Sequence, residues 1–436
     1  MEAEHFKTLG LELSTVEAFL PVATGFAEKS ALALGLGEEG ALSLTLATEE
    51  IFLYLCQTIP AQKIKIRCRG GGYFVQIEFA IPIEDLNLKA FNLTARIDPE
   101  DEGDWQDLGL VLASRSVDRL RIWEEKGQGL HLELTKEKVY PAFQDTLPLP
   151  VPPLSRFFLR PPEKEEIKSL ARLASEYYPS PFLPPFFRFP GKTVDMAAGG
   201  DFKTMVAVDA QGHLGGGILW YWRGPKIVAC YGPFLFNQPQ DSPMAEALLE
   251  ALLQEIARTQ AMGLLCRYPT PQLPLKHFET LGSFTYFPVE QEPQSIRAYY
   301  RHLQEDMGST VWTHSDLKLF LQQTYRRMVL PREIREIRDY GEKRNPYSVL
   351  STRFDRDRNL VTLYPLRPGA DARENLGDYL RLLKKEGWRN IFFEMDLFSP
   401  WQVEFVPALT ENLFSPAFIL PNAGNGDVVL FQALES

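Results

Sequence analysis

"MAEALLEALLQEIARTQAMGLLCRY", residues 244–268, and "ARENLGDYLRLLKKEGWRNIFFEM", residues 372–395, share one order: an amphipathic helix, a short turn and an apolar strand. In each, apolar residues recur at helical spacing and then give way to a short continuous apolar run. Each copy is followed by a predicted second helix, near Leu275–Leu281 in the first, and by another apolar strand, "LGSFTYF" at 281–287 and "LFSPAFIL" at 413–420. The repeat predicts two related α/β units, 156–293 and 346–436, joined by a helical, charge-rich connector at 294–345.

Working outward, "TMVAVDAQGHLGGGILWYW" at 204–222 reads as strand, turn and strand, with its glycines serving a hairpin or bulge, and Lys226–Leu235 as a further strand. Upstream lies "LPLPVPPLSRFFLRPPEKEE", residues 147–166, whose prolines remove backbone donors and favour extended chain. Residues 147–155 are taken as a stiff linker. Before it, residues 1–146 give helices at Val16–Ala33 and Ala41–Ile59 and strands at Lys63–Cys68 and Tyr73–Phe79 around the turn "RGGG". A helix near Leu108–Val117 and strands at Leu120–Trp123 and Leu130–Thr135 follow, completing an α/β sandwich.

Bulk properties bound the function. The chain has 436 residues and a net charge of −11, which disfavours a general phosphate-backbone binder, so no nucleic-acid partner is expected. Its four cysteines lie far apart with no C-x-x-C pair, arguing against a disulfide framework or zinc cage. No apolar run approaches the ~18 residues of a membrane span, so no membrane partner is expected and the predicted location is cytoplasmic. The six histidines show no ligand spacing, and no metal site is predicted.

The order of elements in residues 12–138 resembles the GHKL ATP-binding fold, specifically the anti-sigma-factor serine kinase branch. In that family a helix carries a Glu and, four residues on, an Asn; the Asn holds Mg and the Glu is the general base. Glu50 matches the Glu and is the candidate base here, but Tyr54 stands where the Asn belongs. The family's D-x-G-x-G box should follow the strand at 73–79, yet "AIPIEDLNLKAFNLTARI" has no glycine. Of the glycine-rich lid only Gly103 and Gly109 remain, within "DPEDEGDWQDLG", whose carboxylates would repel a triphosphate. The resemblance therefore implies a degenerate domain for which ATP is not a cofactor.

Residues 156–287 resemble the GNAT acyltransferase superfamily, again by order of elements. In those enzymes a strand offers backbone contacts to the pantetheine arm, a Q/R-x-x-G-x-G/A loop wraps the pyrophosphate at a helix N-terminus, and a Tyr protonates the leaving thiolate. The strand "KIVACYGPFLF" and the helix from 243 match in place. Between them "NQPQDSP" at 237–243 has no glycine and adds Asp241, and Phe278 stands where the Tyr belongs. The resemblance points to Tyr231, Phe234, Phe236, Asn237, Ser242 and Met244 as the contacts of acetyl-CoA or another acyl-CoA. Residues 346–436 are similar to the C-terminal half of duplicated GNAT-like proteins, with no assignable site residues.

The expected fold class is thus α/β (α+β): a GHKL-like α/β sandwich followed by a tandem GNAT-like region with mixed sheets flanked by helices. Two functions compete. One is a regulatory or signalling protein that binds a protein partner or small ligand with catalytically impaired domains. The other is an acyl-CoA-dependent N-acyltransferase with an atypical pyrophosphate loop. A serine kinase or other ATPase is the third reading. The arginine-rich 325–344 is read as helical charge pairing. Trp220, Tyr221, Trp222, Trp388 and Trp401 are candidates for the mouth of a cleft between the tandem units.

Overall fold

In a computed structural model the chain is described over residues 8–83, 88–94, 109–110, 113–125, 129–143, 151–289, 291–338 and 345–434. It is mixed α/β and forms two compact units from discontinuous stretches. One comprises Met1–Val139, Lys343–Arg353 and Tyr364–Leu383, the other Tyr140–Glu342, Phe354–Leu363 and Lys384–Ser436. The acidic run 98–107 and residues 147–150 of the proline-rich linker lie outside the described residues.

The first unit is built on β1 (Thr8–Ser14), β2 (Lys63–Gly70), β3 (Phe74–Ile81), β4 (Arg119–Glu125) and β5 (Gly129–Glu137), in the order β1-β2-β3-β5-β4. Every pairing is antiparallel. Alternation in "KIKIRCRG" buries Ile64, Ile66 and Cys68 and leaves Lys63, Lys65 and Arg67 in water, as a sheet with one covered face requires. The cover is α1 (Leu20–Ala33) and α2 (Glu38–Thr58). Ala23, Ala27 and Ala31 of α1 are fully buried, and in α2 Leu44, Ala47, Ile51 and Leu55 follow helical spacing into the same core. Helices and strands predicted here stand with small shifts of boundary, and residues 109–110 and 113–116 of the predicted helix near 108–117 are helical.

Residues 88–94 supply core and clamp. Leu88 and Phe91 join the hydrophobic cluster of α2 and the sheet, with Val349. The Asn92 amide donates to Ser348 O at 2.8 Å and accepts from Leu350 N at 3.0 Å. Tyr379 Oη accepts from Leu93 N at 2.8 Å and donates to Leu350 O at 3.0 Å, while Thr94 Oγ1 donates to Asn375 Oδ1 at 2.9 Å. All of these residues lie in the first unit.

The second unit begins with β6 (Phe158–Arg160), α3 (Lys164–Tyr177) and α4 (Pro190–Ala198). There follow β7 (Lys203–Val208), β8 (Leu214–Trp222), β9 (Ile227–Leu235), α5 (Met244–Ile256), β10 (Gly263–Cys266), β11 (Glu279–Tyr286) and β12 (Gln294–His302). The sheet order is β11-β12-β10-β9-β8-β7-β6. Strands β8 and β9 are buried almost throughout, because α5 covers Ile218, Trp220, Val228 and Cys230 on one face and α3 approaches the other. At Gly217 a Cβ would lie 2.7 Å from Leu170 of α3. The glycine run does hold a bulge, since the register jumps from Ala207↔Gly216 to Val208↔Leu214.

The chain continues through β13 (Ser309–Thr313), α6 (Ser315–Arg327), β14 (Arg332–Glu336), β15 (Val349–Asp355), β16 (Leu360–Arg367), α7 (Ala372–Lys385) and β17 (Asn390–Asp396). It ends with α8 (Pro400–Val403), α9 (Val406–Glu411), β18 (Phe414–Leu420) and β19 (Val428–Ala433). The last sheet runs β15-β16-β17-β19-β18, the same arrangement as β8-β9-β10-β12-β11, and β9–β10 and β16–β17 are the parallel joins. The repeat seen in the sequence is thus a repeat of topology.

Three expectations are corrected. Residues 294–345 are not a helical connector: β12 belongs to the seven-stranded sheet of the second unit, and β13 and β14 flank α6. The helix near 275–281 is one 3-10 turn, Leu275–His277, leading into β11. The arginine-rich stretch leaves its helix at Arg327, and its charges pair otherwise: Arg332 sits fully buried against Asp427 (2.7 Å) and Asp306 (2.8 Å), and Arg335 meets Glu333. The shared error is a helical period assigned to strands whose alternation is masked by charge.

Replacing Tyr379 with Phe leaves Leu93 N–H and Leu350 C=O buried without this partner. It is expected to lower stability by about 1–3 kcal/mol, read as a fall in the urea midpoint at unchanged slope.

Candidate functional site

The site grows from the way β9 leaves β10. Their parallel ladder covers only Ile227–Ala229 against Gly263–Leu265, whereas β9 runs on to Leu235. Gly232, at φ +90°, takes a conformation that L side chains avoid, and a Cβ there would lie 2.9 Å from Phe234 N. Past Ala229 the two strands enclose a wedge whose β9 side presents main-chain groups.

Those groups are taken by the chain's own side chains. Thr270 Oγ1 donates to Pro233 O at 2.8 Å. Tyr178 Oη accepts from Leu235 N at 2.7 Å and faces Leu235 O at 3.2 Å and Gln272 Oε1 at 3.1 Å. Burial, opposed by the Leu235 bond, pushes the Tyr178 phenol up to about 12, so it stays protonated and keeps a hydrogen to donate while it accepts from Leu235 N. At the wedge base the Cys266 thiol is held well above its usual range by the Cys230 thiol and by burial, which makes it a poor nucleophile.

Deeper in the wedge the rings of Tyr231 and Tyr268 lie parallel within 2°, 6.3 Å apart, and Tyr221 stacks on Tyr231 at 6.2 Å. Arg358 places its guanidinium 4.1 Å from the Tyr268 centroid. Burial works against its charge, yet Tyr231, Tyr268 and Asp355 hold the proton and raise its pKa above the ordinary value.

The loop before α5 is also covered. Asn237 Nδ2 donates to Val151 O at 2.8 Å, and Leu154 N donates to Gln238 Oε1 at 3.0 Å. Ser242 Oγ accepts from Met244 N at 3.3 Å, and Asp241 is exposed.

Of the residues predicted to contact acyl-CoA, Tyr231 lines the wedge, Asn237 and Ser242 lie on the covered loop, and Phe234, Phe236 and Met244 are fully buried core side chains. Phe278 packs partly buried against the α5 core. Glu50, on α2, lies against Gly109, where a Cβ would be 2.2 Å from its Oε2. Burial and then Glu49 raise its pKa, and Tyr54 is buried in the core. Tyr178, Thr270 and Arg358 were not found from sequence. Their partners lie 57, 37 and 127 residues away, and no local motif marks them.

Two further features frame the wedge. Side-chain amides join its half to the C-terminal sheet: Phe287 N donates to Asn390 Oδ1 at 2.8 Å and Asn390 Nδ2 to Phe287 O at 2.9 Å, and Gln432 bonds Thr285 N and O in the same way. Beneath them Glu394 is buried between Arg267, at 2.9 Å, and Arg223. Of the aromatic residues proposed for a cleft mouth, Trp220 is core, Trp222 is 44% exposed, and Trp388 packs on Phe354. A separate groove of about 1710 Å³, lined by Tyr325, Arg326 and Val329 among others, contains none of the predicted ligand residues. Among the described residues no group of three or more His, Cys, Asp or Glu is placed to hold a metal, and no helix is long and apolar enough to cross a membrane.

No protein-family model matches the sequence, and no curated protein does. Solved structures of acetyltransferases are similar to part of the chain. A GNAT superfamily phosphinothricin acetyltransferase from Sinorhizobium meliloti, in complex with AcCoA, is 15% identical over 35% of this chain and 90% of its own, with a TM-score of 0.29. A putative acetyltransferase from Acinetobacter baylyi is 13% identical over 34% of this chain and 93% of its own, also at 0.29. A spermidine/spermine N-acetyltransferase from Vibrio cholerae is 16% identical over 34% and 94%, at 0.28.

Replacing Tyr178 with Phe is expected to cost about 1–3 kcal/mol and to speed hydrogen exchange at the Leu235 amide. Unchanged exchange there would mean that another group holds that amide.

Proposed function

We propose that the protein is a regulatory binding protein whose GHKL-like N-terminal domain, residues 1–146, and tandem GNAT-like region, 156–293 and 346–436, have lost their families' catalysis and serve a protein partner or small ligand. One observation carries this reading. The main-chain groups along the open side of β9, which an acyl-CoA arm would need, are bonded to Thr270 and Tyr178. A ligand taking that edge would have to displace bonds already made, and an internal bond has no association entropy to overcome. The cover of Val151 and Leu154 over the loop before α5 supports the same conclusion for a pyrophosphate. In the N-terminal domain, Tyr54 in place of the metal-binding Asn and the burial of Leu88 and Phe91 support the loss of ATP.

The competing reading, an acyl-CoA-dependent N-acyltransferase, is favoured by the wedge itself, since two parallel strands that part company are a natural cradle for an extended chain with amides. Titration calorimetry separates the two. We expect no saturable binding of acetyl-CoA, or of ATP with Mg, below about 1 mM, a standard free energy near −4 kcal/mol, and no change in ATP binding on Glu50→Gln. Micromolar acetyl-CoA binding with acetyl transfer to an amine would establish the acyltransferase instead.

A further inference from the structure

A side chain from outside its own half enters the wedge. The turn between β15 and β16 reaches the loop after α3: Asp357 Oδ1 lies 2.7 Å from Arg188 Nη1, and Asp357 O accepts from Ser180 Oγ at 2.8 Å. From that turn Arg358, only 4% exposed, extends its guanidinium to 4.1 Å from the Tyr268 ring centre and 5.6 Å from that of Tyr231. Its N–H groups are directed to Asp355 Oδ2 at 3.2 Å, Ser180 O at 3.4 Å and Leu183 O. Aromatic rings suit a cation, and carbonyls and a carboxylate suit the donors of a guanidinium. The rings and both carbonyls belong to the first half; only Asp355 travels with the arginine. An ion pair this deep gains little over apolar packing, so stability alone does not account for a box so fully matched to one cation.

We propose that the wedge between β9 and β10 is a binding site for an organic cation of the guanidinium class, filled in cis by Arg358 as an intramolecular occupant. The proposal rests on reading the wedge as the remnant of a ligand site. A tethered side chain competes at high effective concentration, so a free cation meets a closed site unless the 355–359 turn is drawn out. The Arg188–Asp357 pair and the Ser180 bond are the latches on that turn.

The test is thermal unfolding of the full chain with methylguanidinium or its neutral shape-mate N-methylurea at millimolar concentration. Arg358→Ala is expected to gain about 3 °C or more from methylguanidinium and nothing from methylurea, while the wild type responds to neither. Should Arg358→Ala fail to fold, Asp357→Ala removes one latch at a partly exposed position and keeps the arginine; it is expected to show a smaller methylguanidinium-specific rise. An equal response to the two probes in whichever variant folds overturns the proposal. Micromolar acetyl-CoA binding by the wild type would sink the regulatory reading and leave the cation box standing, and a variant indifferent to methylguanidinium would do the reverse.

Discussion

A buried strand edge that loses its neighbouring strand must still satisfy its N–H and C=O groups, because each one left unpaired costs on the order of 1–3 kcal/mol. This chain meets that requirement repeatedly with side chains that stand in for a strand. Tyr178 serves Leu235, Asn390 serves Phe287, Gln432 serves Thr285, and Asn92 spans Ser348 and Leu350. Three of the four are amides, whose donor and acceptor match the two groups of a peptide unit. Asn390 and Gln432 join the seven-stranded sheet to the C-terminal one, alongside the contact of Phe284 with Phe392 and Phe418.

The same device bears on the proposed loss of acyl-CoA binding, because an edge can be sealed without any change of strand order. An edge available to a ligand must be unpaired in the free protein, and an edge sealed by its own side chain is more stable and less useful. Strand order survives such sealing unchanged, since β8-β9-β10-β12-β11 depends on the apolar faces of the strands and not on what occupies the wedge. In the N-terminal unit Leu88 and Phe91 likewise fill the core that the antiparallel sheet shares with its covering helices.

How much of this was legible in the sequence follows from the range of each interaction. The repeat at 244–268 and 372–395, the strands of the first unit and the bulge at the glycine run are local patterns of period and turn chemistry, and they could be read. The strand character of 294–302 and 332–336 was hidden because Arg297, Arg301, Arg332 and Arg335 bring charges that a helical surface would also carry, although in β12 Arg297 and Arg301 fall on the outward positions that alternate with Ile296, Ala298 and Tyr300. Departures from the patterns of the two resembled families were visible as residues, Tyr54 where an Asn was expected and Phe278 where a Tyr was expected. What replaced them was not, since Tyr178, Thr270 and Arg358 act on main chain or rings distant in sequence, and nothing beside them announces it.

The discontinuous make-up of the first unit has a consequence for how the protein is made. Its helices and sheet leave the ribosome early, but the strand and helix residues that close on Asn92, Leu93 and Thr94 come from 348–350 and 375–379. At about 5–20 residues per second the wait is ~10–50 s. Over that interval Leu88 and Phe91 lack the residues that close on their segment, and a fragment cut between the apparent domains would lack them permanently.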